Sequence, residues 1–307
     1  TNAMSIALLQ PQVIRAVSPP GLLGESPFWH PAEACLYWCD IAAKQVCRLD
    51  PASGELRVWP LPSEPACCAP MLSGGLLLAM RDGLWHLDLA TGERQPLADP
   101  PYDPAHERFN DGKCDAQGRF WAGTIYEPRD RAAAALYRYD RDGLTRCAGH
   151  ITTSNGLAWS LDGGTVYWAD TRAHAVFAMD FDVADGSLSN QRLWRQYEGR
   201  ATGQPLADYA GRPDGAAVDS EGCYWVAMYE GAQLQRLSPQ GDTIEVLHLP
   251  VQCPTMPCFG GPDLRTLYIT TARQHRPADE LAAQPLAGCV LALEVAVPGL
   301  PVNFCGL

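Results

Sequence analysis

Residues 154–170 read SNGLAWSLDGGTVYWAD: a polar lead, an apolar run, a Gly-rich turn and an aromatic run. This stretch decides the fold, because a turn followed by an aromatic or aliphatic run occurs six times along the chain. The other copies are HPAEACLYWCD (30–40), LSGGLLLAM (72–80), DAQGRFWAGT (115–124), DSEGCYWVAM (219–228) and GPDLRTLYITTA (261–272). Their anchor residues Trp38, Leu78, Trp121, Trp168, Trp225 and Tyr268 are spaced by 40, 43, 47, 57 and 43 residues. A self-similar period of this length marks a repeat architecture.

Each copy is followed by a second hairpin-like unit, such as VCRLDPASGEL (46–56) or LYRYDRDGLTR (136–146). These runs alternate or are aromatic-rich, are joined by Gly, Asp and Asn turns, and show hardly any helical period. Four short antiparallel strands per unit and six units predict an all-β, six-bladed propeller, a single domain over residues 4–307. A ring must also be closed. The extended segment PQVIRAV (11–17) precedes the first complete repeat and is expected to supply the missing strand of the last blade, beside residues 290–294. The apparent helix former ADELAAQPLAG (278–288) is interrupted by Pro285 and can be only a short excursion.

Composition is consistent with this reading. Of 307 residues, 47% are hydrophobic and 19% charged, which is ample material for a core. The 28 Gly and 26 Pro are spread along the chain, as many turns require. A net charge of −12 repels polyanions and anionic membrane surfaces, so neither nucleic acid nor membrane is an expected partner. No apolar run approaches the about 20 residues a membrane helix needs. Thr1–Ala3 before Met4 read as a remnant of expression, with no secretion signal behind them. The 12 cysteines contain no CxxC pair, which argues against a structural zinc cluster; many lie within strand-like runs, as reduced thiols of a cytoplasmic protein would. A monomer or small homo-oligomer is expected.

Counting back 11 or 13 residues from each anchor lands on Glu25, Cys67, Asn110, Asn155, Asp214 and Thr255. All six begin the first strand of a blade, the strand that lines a propeller's channel, so these side chains should converge at one mouth of the axis. Singly, SNG, NDG and PDG are good turn sequences. Four polar residues at matched positions point further, to a cluster of oxygen donors. Two carboxylates buried together are costly without a cation or proton. A divalent metal is therefore expected, with Glu25, Asn155 and Asp214 as ligands and water completing the shell. None of the seven histidines falls at an axial position, so the donor set favours a hard cation such as calcium, magnesium or manganese, although zinc binds such sites. Trp38, Trp121, Trp168 and Trp225 are expected to pack between blades, and Trp29 to line the pocket near Glu25.

At these residues the chain resembles the senescence marker protein-30 (regucalcin)/gluconolactonase family of metal-dependent lactonases. The matching stretches are GESPFW (24–29), RFNDGKCD (108–115), SNGLAWSLD (154–162) and PDGAAVDSEG (213–222), with CFGGPDLRTLYITTAR (258–273) a weaker one. The resemblance implies Glu25, Asn155 and Asp214 as metal ligands, Asp214 also as the catalytic proton carrier, and Arg108, Asn110 and Glu127 as contacts to a sugar-lactone substrate. Metal-assisted opening of a glucono- or arabinono-lactone to its aldonic acid follows as the expected reaction. No GxSxG elbow, HExxH or phosphate-cradling Gly loop competes with it. Two other readings remain: a non-catalytic, metal-stabilised binding platform, and a paraoxonase-like hydrolase of aryl esters or organophosphates. The segment Tyr197–Arg212, longer than in shorter family members, is expected either to overhang the pocket or to be a surface insertion.

Overall fold

A computed structural model describes residues 5–8 and 13–307; the first residues up to Met4, and with them the expected remnant, lie outside it, as do Pro11 and Gln12 of the closing segment. Six sheets surround one axis, each built on an antiparallel meander of consecutive strands. Their innermost strands are Gly24–His30, Pro65–Pro70, Glu107–Cys114, Ser154–Trp159, Arg212–Val218 and Pro254–Gly260. The six anchor residues all lie on second strands, from Cys35–Asp40 in the first blade to Thr266–Thr271 in the sixth.

Anchors fall there because a second strand is covered on both faces by neighbouring blades. It therefore reads as a continuous apolar run instead of alternating. Trp121 and Trp168 lie in one buried cluster spanning the third and fourth blades, Trp225 packs against sixth-blade residues, and Trp38 packs with Tyr268. Burial favours an acceptor for an indole N–H, and three of the anchors have one. Trp121 donates to Asp115 and Trp225 to Asp219, both at 2.9 Å, and Trp168 to the Ser154 hydroxyl at 2.7 Å.

Ring closure follows the expected plan. Arg15–Ala16 pairs antiparallel with Leu291–Glu294, and the Val17 amide donates to the Val290 carbonyl at 2.9 Å. A second latch joins the sixth blade to the first, where the Thr255 hydroxyl donates to the Gly24 carbonyl at 2.5 Å. Two features carry no repeat signature. Ala7–Leu8 adds a parallel fifth strand to the outer edge of the fifth blade, and the C-terminal segment crosses the far end of the channel, with the Cys305 amide on the Pro70 carbonyl and Gly306 on Gly118. The one α-helix among the described residues, Ala278–Ala283, stops before Pro285, and no helix is long and apolar enough to cross a membrane. All 12 cysteines are free, and only Cys147 is not fully buried.

Candidate functional site

Each innermost strand loses register with its second strand at or just beyond its axial residue. The breaks lie between Glu25 and Phe28, Pro65 and Cys67, Phe109 and Gly112, Asn155 and Ala158, Pro213 and Ala216, and Pro254 and Met256. A bulge re-aims the side chains around it. Six at one level turn a ring of ordinary strand positions into a ring of inward-facing groups. Ser26 and Gly156, equivalent neighbours of Glu25 and Asn155, both take left-handed backbone, with φ of 53° and 59°. Glycine is needed at the second position because a Cβ there would stand 2.3 Å from the Tyr224 hydroxyl.

Glu25, Arg108, Asn110, Glu127, Asn155 and Asp214 all line one cavity of about 590 Å³ at this mouth. All six residues expected from sequence are thus brought together. Glu25, Asn110, Asn155 and Asp214 are buried. A chain of hydrogen bonds orders the amides: Arg108 Nη1 donates to Asn110 Oδ1 at 2.9 Å, and Asn110 Nδ2 to Asn155 Oδ1 at 3.0 Å. Asn155 Nδ2 donates to the Thr171 hydroxyl at 2.7 Å, which donates onward to the Pro213 carbonyl at 2.7 Å. Thr171 therefore fixes which face of the Asn155 amide is turned inward, leaving its oxygen on the axis with a second lone pair to offer.

Burial pushes the carboxyls of Glu25 and Asp214 well above the usual carboxylate range. Mutual repulsion raises Glu25 further, and the Asp111 carboxylate adds to both. The two carboxyls also act on each other directly, the interaction raising Glu25 and partly lowering Asp214. Among the described residues Asp214 Oδ1 has no donor, and neither does Asp111 Oδ1, buried one residue beyond Asn110. Lys113, its pKa lowered by burial, faces Asp111 electrostatically and donates to the Ala216 carbonyl at 2.6 Å.

This donor set fits a hard divalent cation. Two carboxylates and an amide oxygen are what such an ion takes, and the orphaned Asp214 oxygen beside a second buried carboxyl marks where positive charge is missing. Among the described residues no group of three or more His, Cys, Asp or Glu forms a metal cluster, in keeping with a set that contains only two acids and an amide.

Glu127 lines the cavity with both oxygens engaged by Arg81, at 2.6 and 2.9 Å, and Arg81 also pairs with Glu64 at 2.5 Å. Sequence reasoning missed Arg81, Thr171 and Asp111. Only Asp111 had a local signal, in the NDG of the matched motif, and that signal reads equally as a turn. Trp29 corrects an expectation: it lines a separate, more apolar cavity at the other end of the channel and stacks on Tyr268. Four strand residues beyond Glu25 amount to about 13 Å along the axis, enough to reach the opposite end. From the segment Tyr197–Arg212 only Arg212 reaches the cavity that Glu25 and Asp214 line. The rest folds beside it, around a single 3₁₀ turn at Leu206–Asp208, tied by the Tyr209 hydroxyl to His174 at 2.5 Å.

A family model described as SMP-30/gluconolactonase/LRE-like region matches residues 23–273. The chain is 44% identical over 284 residues to 6-deoxy-6-sulfogluconolactonase of Pseudomonas putida, covering 92% of this chain and 94% of that protein. It is 34% identical over 299 residues to regucalcin of Xenopus laevis, covering 94% and 97%. Among solved structures, the calcium-binding protein regucalcin of Agrobacterium tumefaciens superposes with a TM-score of 0.90 at 28% identity, covering 99% of both chains.

Proposed function

Since the chain belongs to the SMP-30/gluconolactonase/LRE-like family, we propose that it hydrolyses a sugar lactone, of the glucono- or arabinono-lactone type, to the aldonic acid with the help of one divalent cation. Glu25, Asn155 and Asp214 are the ligands in this reading. The observation that carries it is the buried Glu25–Asp214 pair, raised far above ordinary carboxylates beside an Asp214 oxygen without a donor. The calcium-binding relative of known structure supports a cation at such a site, and the Pseudomonas putida relative supports lactone as the substrate class.

A cation bound there supplies a Lewis acid for the lactone carbonyl and a lowered pKa for water. The chain's own residues do the rest. Asp214 takes a proton from the attacking water as the new carbon–oxygen bond forms, and returns it to the ring oxygen as the ring bond breaks. Arg108 and Asn110, already joined at 2.9 Å, present donors to the ring hydroxyls, and Glu127, held rigid by Arg81, offers an acceptor. Prior alignment of this kind removes much of the entropic part of the barrier.

The test is acid release from a panel of aldonolactones, above the spontaneous rate, by protein stripped with a chelator and reloaded with calcium, magnesium, manganese or zinc. Activity lost on stripping, restored by a cation and absent in Asp214→Ala is the expected result. Turnover that ignores both the chelator and Asp214→Ala refutes the reading.

A further inference from the structure

The cavity contradicts the charge of the molecule that surrounds it. The chain carries a net −12, yet six arginines line this one mouth (Arg81, Arg108, Arg129, Arg172, Arg212 and Arg276) against four carboxylates, Glu25, Glu64, Glu127 and Asp214. A hydroxylated neutral ring does not need that excess, because neutral donors or paired charges read hydroxyls equally well.

Half of these arginines are already compensated. Arg81 is held by Glu64 and Glu127, and Arg212 and Arg276 share Glu230, which lies behind them. Arg108 is turned inward on Asn110 with no carboxylate within 4.0 Å among the described residues. Arg129 and Arg172 differ again: among the described residues neither has an ion pair nor a side-chain hydrogen bond, although both border the cavity. Nearby Arg131, in contrast, rests on the Tyr126 ring.

Both arginines sit on matching turns. Arg129 follows the second strand of the third blade, Phe120–Tyr126, and Arg172 follows that of the adjacent fourth, Thr165–Asp170. The two blades are bridged here between Ile125 and Thr153. Arg129 takes left-handed backbone, φ 55°, where its amide N–H donates a hydrogen bond to the Tyr126 carbonyl, an unfavourable conformation for a long side chain and one that bends the turn at the cavity wall. Arg172 is one residue beyond Thr171, the support of Asn155.

We infer that Arg129 and Arg172 form a recognition site for a fixed negative charge on the substrate, so that the preferred lactone carries a tetrahedral oxyanion, sulfonate or phosphate, on its exocyclic carbon. The inference rests on the lactonase reading. In that reading the carbonyl lies at Glu25, Asn155 and Asp214 and the ring hydroxyls at Arg108 and Asn110, and the exocyclic end is assigned to the stretch of cavity wall that Arg129 and Arg172 border. Two guanidinium forks there match the oxygens of such a group. Glu127 does not oppose it, since Arg81 neutralises that carboxylate.

Three lactones separate the possibilities: neutral glucono-1,5-lactone, 6-phosphogluconolactone and 6-deoxy-6-sulfogluconolactone, each with wild type, Arg129→Gln, Arg172→Gln and the double variant. In wild type kcat/KM is expected to be higher for a charged lactone than for the neutral one. Each substitution should lower the charged-to-neutral ratio about tenfold, and added salt should lower it too. The two charged arms identify sulfonate or phosphate. A ratio at or below one in wild type, or one that neither substitution changes, overturns the inference and leaves the lactonase reading intact. If wild type opens no lactone, that reading fails instead. Calorimetric binding of 6-phosphogluconate and 6-deoxy-6-sulfogluconate against gluconate then tests the site, and affinities equal for all three or insensitive to both variants overturn it.

Discussion

Replacing Asp214 with asparagine should abolish activity and yet stabilise the cation-free protein. Asp214 is 6% exposed, has one oxygen without a donor, and its pKa is pushed up from 3.8 to about 8, chiefly by burial. An acid whose pKa is raised in the folded state is easier to ionise when unfolded. Its penalty is therefore absent below pH about 4, grows as pH climbs, and levels off above about 8. At pH 7 the penalty spans the interval from 3.8 to 7, which at about 1.4 kcal/mol per pH unit comes to about 4 kcal/mol. Asp214→Asn should then be more stable by about 2–4 kcal/mol in chelator at pH 7, a rise in midpoint of several degrees. Thermal and urea unfolding across pH 4–9, in chelator, would measure it. Cation narrows the difference, because only wild type gains about 3 kcal/mol at a hundredfold excess over its Kd, and at a thousandfold excess the gain of about 4 kcal/mol cancels or reverses it. A variant less stable than wild type at pH 8 in chelator, or a difference that does not change with pH, refutes the argument.

Two further outcomes test the surrounding structure. Thr171→Val removes the acceptor for Asn155 Nδ2 and the donor to the Pro213 carbonyl. Cation affinity should fall about tenfold or more, as for other lost supports of a ligand, while Thr171→Ser retains it; a cation titration followed by calorimetry decides. Truncation that starts the chain at Ser18 removes the Arg15–Ala16 pairing and the Val17 bond. The last blade then has a bare edge and loses on the order of 3 kcal/mol, seen as a lower urea midpoint and as association on size exclusion.

Some of this was readable because it is local. A turn, an aromatic run and their spacing are properties of about a dozen consecutive residues, so blade number, the second-strand anchors and the short helix ended by Pro285 could be read directly. Counting back to Glu25, Asn110, Asn155 and Asp214 used only the regularity of the repeat. The partners of those residues follow no period. Arg81 reaches Glu127 from the neighbouring blade, and Thr171 sits on a turn whose sequence says nothing of Asn155. Trp29 lay close to Glu25 in sequence and at the opposite end of the channel in space, because strand rise, not chain proximity, separates the two ends.

By itself the sequence determined that six similar units would each make a small sheet and which residue of each would start its innermost strand. Packing those sheets side by side in a ring was what brought Glu25 and Asp214, 189 positions apart, into one buried site, and what set Arg129 and Arg172 on adjoining turns without partners among the described residues. Burial and the field of neighbouring charges act through space. They come into existence only when the last blade is closed.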